Sequence, residues 1–280
     1  MPALLVLVLL VTVAACDPTS ATVTTAPGTP AAPAEALLTA SPSPSDPVTT
    51  AVGTPPPTPT PLATPTPAAP QPTPVPTPTP TPGPFAMDLY RPGAFVTETS
   101  KVMCVAAAMQ VMANVMSGDD DRTVATQRRL YALARTLSPP TLKGDGAEPE
   151  GWARGLEELG YGRFEVRALA TMKAAIQAAA KAVRLTGRPA GLLVWYGAHS
   201  WVMSGFRSTA DPALTDRFVV TAVSIEDVWY PKISTLWGKS RPPDSLVPVA
   251  RLPRDFLPWR MPGGPYPDKA WKYVIVVPVA

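Results

Sequence analysis

The stretch PAGLLVWYGAHSWVMSGF, Pro189 to Phe206, decides how the rest of the chain is read. It contains two runs, PAGLLVWY and HSWVMSGF, rich in the branched and aromatic residues that suit a pleated, half-buried surface. Only Gly197 and Ala198 stand between them, which predicts a hairpin. Downstream, DRFVVTAVSIEDVWY (Asp216 to Tyr230) reads as a further strand and KYVIVVPV (Lys272 to Val279) as the last one. Between them, Lys232 to Val249 reads as a long proline-containing loop.

Upstream of the hairpin the period changes. Cys104 to Met116 predicts a helix, with Val105, Met109, Met112 and Met116 at helical spacing. Arg122 to Leu137 predicts a second, with Val124, Leu130, Leu133 and Leu137 along one side. The run SPPTLKGDGAEP is a loop full of breakers, and Glu150 to Leu159 a short third helix carrying Trp152 and Leu156. FEVRAL (Phe164 to Leu169) reads as a strand, and Met172 to Leu185 as an Ala-rich helix stopped by Gly187. Phe85 to Glu98 is an extended lead-in. Helices first and antiparallel strands second predict an α+β domain, a helical layer packed on an antiparallel sheet.

The 280 residues are not of one kind. Most of the 39 prolines precede Phe85. Residues 17–84 are Thr, Pro, Ala and Ser with few large side chains, and their only charges are Asp17, Glu35 and Asp46. Such a segment cannot bury enough apolar surface to offset the entropy of ordering it, so a disordered Pro/Thr-rich linker is expected. In polyproline II form it reaches at most on the order of 200 Å. Ahead of it, LLVLVLLVTVAAC (Leu4 to Cys16) has the length of a signal-peptide core. Its end resembles a bacterial lipobox, which implies lipidation at Cys16 and anchoring on the extracytoplasmic face of the cell membrane. An ordinary signal peptide cut near Ala15 is the alternative. The expected organisation is therefore leader 1–16, linker 17–84 and folded domain 85–280. A net charge of +3 without a basic run gives no reason to expect a nucleic-acid partner.

With Cys16 in the leader, Cys104 is the sole thiol of the domain, and His199 is the only histidine of the chain. One opens a predicted helix and the other a predicted strand. A helix N-terminus stabilises a thiolate, and a neighbouring imidazole can take the thiol proton. A third group must then fix the imidazole, and Asp227, ending the next strand, is placed to do so; Glu226 has the opposite pleat parity. On residue types alone, a buried free thiol and a hydrogen-bonded histidine explain the same pair without chemistry.

Four segments together, FVTETSKVMCVAAAMQVMANVM, GDGAEPEGWARGLEELGYG, TGRPAGLLVWYGAHSWVMSGF and VVTAVSIEDVWYP, resemble the C39-like family of papain-fold cysteine peptidases. The resemblance implies a papain-like fold, Cys104 as nucleophile, His199 as general base and Asp227 as orienting acid. The chain departs from the family pattern at three places. Glu98 stands where the family commonly has a Gln that helps bind the oxyanion, Val105 follows the cysteine in place of Gly, and Val228 follows Asp227 in place of Pro. An ionised Glu98 would repel an oxyanion and a protonated one could donate to it, leaving the Cys104 backbone N–H as the remaining donor. One His and one thiol make no common zinc set, and neither a metal nor a cofactor is expected. Trp201 is placed either to shield the Cys–His pair or in the core. Trp229, Tyr230 and Trp237 line a groove or pin a loop. The three aspartates Asp119 to Asp121 read as a solvated junction with an N-cap.

The function expected is an exported cysteine peptidase-like protein, cleaving a peptide or amide bond in a peptide, protein or cell-wall peptide. The alternative is a catalytically inactive surface module of the same fold that binds peptide or wall polymer.

Overall fold

The computed structural model describes residues 83–140, 144–260 and 268–280. The leader, Cys16 and nearly all of the Pro/Thr-rich segment lie outside the described residues. The architecture is α+β: α1 Cys104–Ser117, α2 Val124–Leu137, α3 Pro149–Glu158 and α4 Met172–Thr186 pack on an antiparallel sheet. Its strands are β1 Phe85–Asp88, β2 Phe164–Leu169, β3 Ala190–Val194, β4 His199–Ser208, β5 Val220–Asp227, β8 Ser245–Pro248 and β9 Tyr273–Pro278. The order is β2-β9-β3-β4-β5-β8, and β1 pairs with the far half of β4, along the edge that β3 leaves free. A separate hairpin joins β6 Ile233–Ser234 to β7 Gly238–Lys239. Among the described residues no helix is long and apolar enough to cross a membrane.

Strand alternation sends neighbouring side chains to opposite faces, and here both faces are covered. Leu192, Val194, Met203, Ile225 and Ile275 face α4 through Ile176, Ala179 and Val183. Leu193, Val202 and Val276 face α1 and α3 through Val105, Met109, Trp152 and Leu156. The single helical layer expected from the sequence is thus two, with α4 alone on the second. Trp152 reaches the sheet only because β3 carries Gly191 there: a Cβ at that position would lie 2.4 Å from the indole.

Two further expectations need correction. The buried side of α2 runs through Gln127, Leu130 and Ala134, whereas Val124 is 45% exposed. Gln127 is buried because its amide is bonded at both ends, accepting from Thr99 N at 2.7 Å and donating to Thr97 O at 3.1 Å. The long loop after β5 also contains structure. Besides the small hairpin it supplies β8, registered on β5 from Ala222↔Pro248 to Ile225↔Ser245.

Candidate functional site

The β3–β4 turn is the first element of the site. It runs through Trp195 and Tyr196 at φ 54° and 61° and Gly197 at φ 91°. Left-handed backbone costs little at glycine but on the order of 1–2 kcal/mol at each of the other two. The strain is held by Trp195 N–H, which donates to Asp255 O at 2.8 Å, and by Trp259, whose ring packs against Gly197. His199 follows as the first residue of β4, opposite Val194. The Trp195 ring stacks on its imidazole at 4.3 Å, and Trp229 meets it edge-on at 6.3 Å. These two indoles, not Trp201, are the aromatic walls of the histidine. Trp201 is buried in the core on the α4 side.

Asp227 lies opposite Trp201 at the end of β5, two positions along from His199 and on the same face. Its Oδ1 is 2.9 Å from His199 Nε2, with both side chains buried. Trp229 N–H donates to the same oxygen and Arg241 N–H to Oδ2, each at 3.1 Å. The carboxylate is therefore held from three directions, and the pairing engages the imidazole through Nε2. Glu226 is turned away. It accepts from Ser204 Oγ at 2.9 Å and Asp244 N–H at 2.6 Å, and burial pushes its carboxyl up to about 7.

Cys104 opens α1 behind Met103, a residue with no side-chain cap. Its Sγ accepts from Ser200 Oγ, the residue beside His199, at 3.6 Å. Burial, and next to it the Glu98 carboxylate, push the thiol up to about 12, against the hydrogen bonds from Ser200 and Val105. Burial and the neighbouring carboxylate thus work against the thiolate that a helix start favours. A cavity of about 220 Å³ opens beside Cys104, bounded by Ser200, Gly197, Glu148 and Trp259.

Glu98 is the third arm. Its N–H donates to Val228 O at 2.9 Å, while Thr97 Oγ1 donates to Tyr230 O, so the strip 97–99 lies along the chain leaving Asp227. Gln127 grips both neighbours of Glu98 from the other side. The Glu98 side chain is 1% exposed, and neither carboxylate oxygen has a hydrogen-bond partner. Lys232 Nζ is bonded to Glu98 O at 2.6 Å and comes no closer than 3.9 Å to Oε1. Burial raises this carboxyl to about 8, with Lys232 opposing and Asp227 adding to the shift. A carboxylate oxygen of Glu98, Cys104 Sγ and a ring nitrogen of His199 all lie within 4.8 Å of one another.

The fold therefore brings Glu98, Cys104, His199 and Asp227 together, from the lead-in, α1, β4 and β5. Ser200, Trp195 and Gln127 escaped the sequence reading. Only the position of Ser200 next to His199 offered a signal. Asp121 does stabilise the start of α2, accepting from Thr123 N–H at 2.9 Å and from Thr126 Oγ1 at 2.6 Å, while Thr123 is the N-cap itself. Trp237 stacks on Trp195 at 5.7 Å, pinning the β6–β7 hairpin over the histidine side of the site.

No protein-family model, no curated protein and no solved structure matches this chain.

Proposed function

We propose that the domain is a thiol hydrolase of papain-like fold, cleaving a peptide or amide bond through Cys104, His199 and Asp227. The observation that carries this reading is the 2.9 Å contact of His199 Nε2 with a fully bonded Asp227, beside a thiol at a helix start. Asp227 fixes the tautomer with hydrogen on Nε2, so Nδ1 is the basic nitrogen. With the thiol favoured over the thiolate by burial, proton transfer accompanies attack: Sγ bonds to the carbonyl carbon as its proton passes to Nδ1. The developing oxyanion meets the Cys104 backbone N–H, which as a first-turn amide has no helical acceptor. A neutral Glu98 carboxyl adds an O–H donor there. The imidazolium then protonates the leaving amine, and water, deprotonated by the same nitrogen, releases the acid from the thioester.

With the lipobox-like leader and the Pro/Thr-rich segment, the reading is of an enzyme tethered to the membrane through Cys16 and acting on extracytoplasmic peptides, cell-wall peptides among them. The test is alkylation of Cys104 by iodoacetamide at pH 7.5 with a chelator present, in wild type and His199→Ala. General-base assistance predicts a rate lower by about 10²-fold or more in the variant. Equal rates would show a thiol without a base, and the domain would then be a binding module.

A further inference from the structure

We infer that Glu98, Cys104 and His199 form a three-ligand site for one divalent transition-metal cation of zinc's chemistry, and that its occupancy blocks the thiol. Their donor atoms, one oxygen, one sulfur and one nitrogen, lie within 4.8 Å of one another. A zinc ion sits about 2.0–2.3 Å from such atoms, and tetrahedral ligands are then about 3.3–3.8 Å apart, so the cation would shorten any separation in the trio by at most about 1.5 Å. The flexible Glu98 side chain can supply most of that movement.

Three features beyond proximity point to a cation. Glu98 is 1% exposed, its two oxygens have no hydrogen-bond partner, and it is aimed at the thiol. A buried carboxylate so placed is costly unless a positive charge reaches it, and Lys232 stops at 3.9 Å. Next, His199 is paired through Nε2 with Asp227, the carboxylate–histidine pairing that orients metal-bound imidazoles and raises their basicity, so the ligand to the cation would be Nδ1. Finally, charge closes: a 2+ ion, one carboxylate, one thiolate and a neutral imidazole sum to zero, the least costly total in a buried place. Binding is balanced by release of the thiol proton, and of the carboxyl proton if present, to solvent. Three protein ligands leave a fourth position of the tetrahedron for water. Mixed S, N and O donors select zinc-like ions over Mg²⁺. The third donor is a carboxylate, which a count of His and Cys alone leaves out.

The site uses the same atoms as the proposed hydrolase but does not depend on hydrolysis. The metal form ties up the sulfur and the base, so the two forms exclude each other, and the cation acts as a reversible inhibitor.

The experiment is a titration of the full chain in detergent with Co²⁺, followed by competition with Zn²⁺. Expected is one equivalent of Co²⁺ per chain with a near-ultraviolet thiolate-to-cobalt band that Cys104→Ser abolishes. Glu98→Gln, which keeps size and removes charge, should weaken Zn²⁺ binding at least about tenfold, and Asp227→Asn about 10–100-fold. Circular dichroism checks that each variant is folded. Excess Zn²⁺ should also protect Cys104 from iodoacetamide. Absence of the cobalt band overturns the inference, and so does Zn²⁺ affinity unchanged in Glu98→Gln, which would mark a chance thiol contact. A chain that binds Co²⁺ in this way while its chelator-treated alkylation ignores His199 keeps the metal site and refutes the hydrolase. The opposite pattern does the reverse.

Discussion

Glu226 offers the sharpest test of the electrostatics that hold the lead-in to the sheet. It is fully buried between Ser204 and Asp244, and Asp88 of β1 bonds to Ser204 Oγ at 3.2 Å and Ser224 Oγ at 2.7 Å. Burial, followed by the charges of Asp244 and Asp88, lifts the Glu226 carboxyl to about 7 from an ordinary 4.5, against the two hydrogen bonds it accepts. The folded state thus holds this proton more tightly than the unfolded state does. Its contribution is intact below about pH 4.5, is lost as pH climbs toward 7, and changes no further above that. At about 1.4 kcal/mol per tenfold in proton affinity, the loss between pH 5 and pH 8 is about 2–3 kcal/mol. Glu226→Gln can keep both contacts, with its carbonyl accepting from Asp244 N–H and its amide donating to Ser204 Oγ. The variant should therefore gain on wild type by that amount between pH 5 and pH 8, read from urea unfolding at the two values. For a domain of this size the gain corresponds to about 5–10 °C in melting temperature. Since every other titrating group is common to both proteins, a stability difference that does not change with pH, or that changes the other way, would refute the burial argument.

Three further outcomes follow from the same geometry. Asp227→Asn should lower His199-dependent alkylation of Cys104 by about 10²–10⁴-fold and, by placing an amide against the Arg241 or Trp229 N–H, cost about 1–3 kcal/mol in urea unfolding. Gly197→Ala sets a Cβ 2.4 Å from the Trp259 ring at φ 91°, so destabilisation of about 2–4 kcal/mol is expected, with slower alkylation because the turn that seats His199 must shift; wild-type stability would show that the turn yields freely. Gln127→Ala strips the bonds that hold Thr97 and Thr99, and should cost about 2–4 kcal/mol and weaken Zn²⁺ binding through Glu98, measured by unfolding and chelator competition.

What the sequence made legible divides along physical lines. Helix α1 was readable because Val105, Met109 and Met112 obey one period and are buried together. In α2 the same logic pointed at Val124, because periodicity scores apolarity and the position that is buried is a glutamine satisfied by partners 28–30 residues away. Strand β8 was invisible: four residues, the last of them a proline, give no alternation to count. The alanines and the Gly187 stop marked α4 as a helix, but not which side of the sheet would receive it. At the site, His199 and Asp227 were legible as rare or charged residues at strand ends. The burial of Glu98 and the reach of Ser200 to Cys104, 96 positions away, arise only from tertiary packing.

One feature of the sheet sets how the site meets the outside world. Strand β4 begins at His199, and its last residue, Ser208, is paired with Phe85, the first residue of β1. Nine residue steps at about 3.3 Å separate these ends by about 30 Å. The chain thus joins the domain at one pole of the strand and carries its histidine at the other. A force applied at Phe85 would load β1 and the far half of β4 first, and would reach His199 only along the length of the strand.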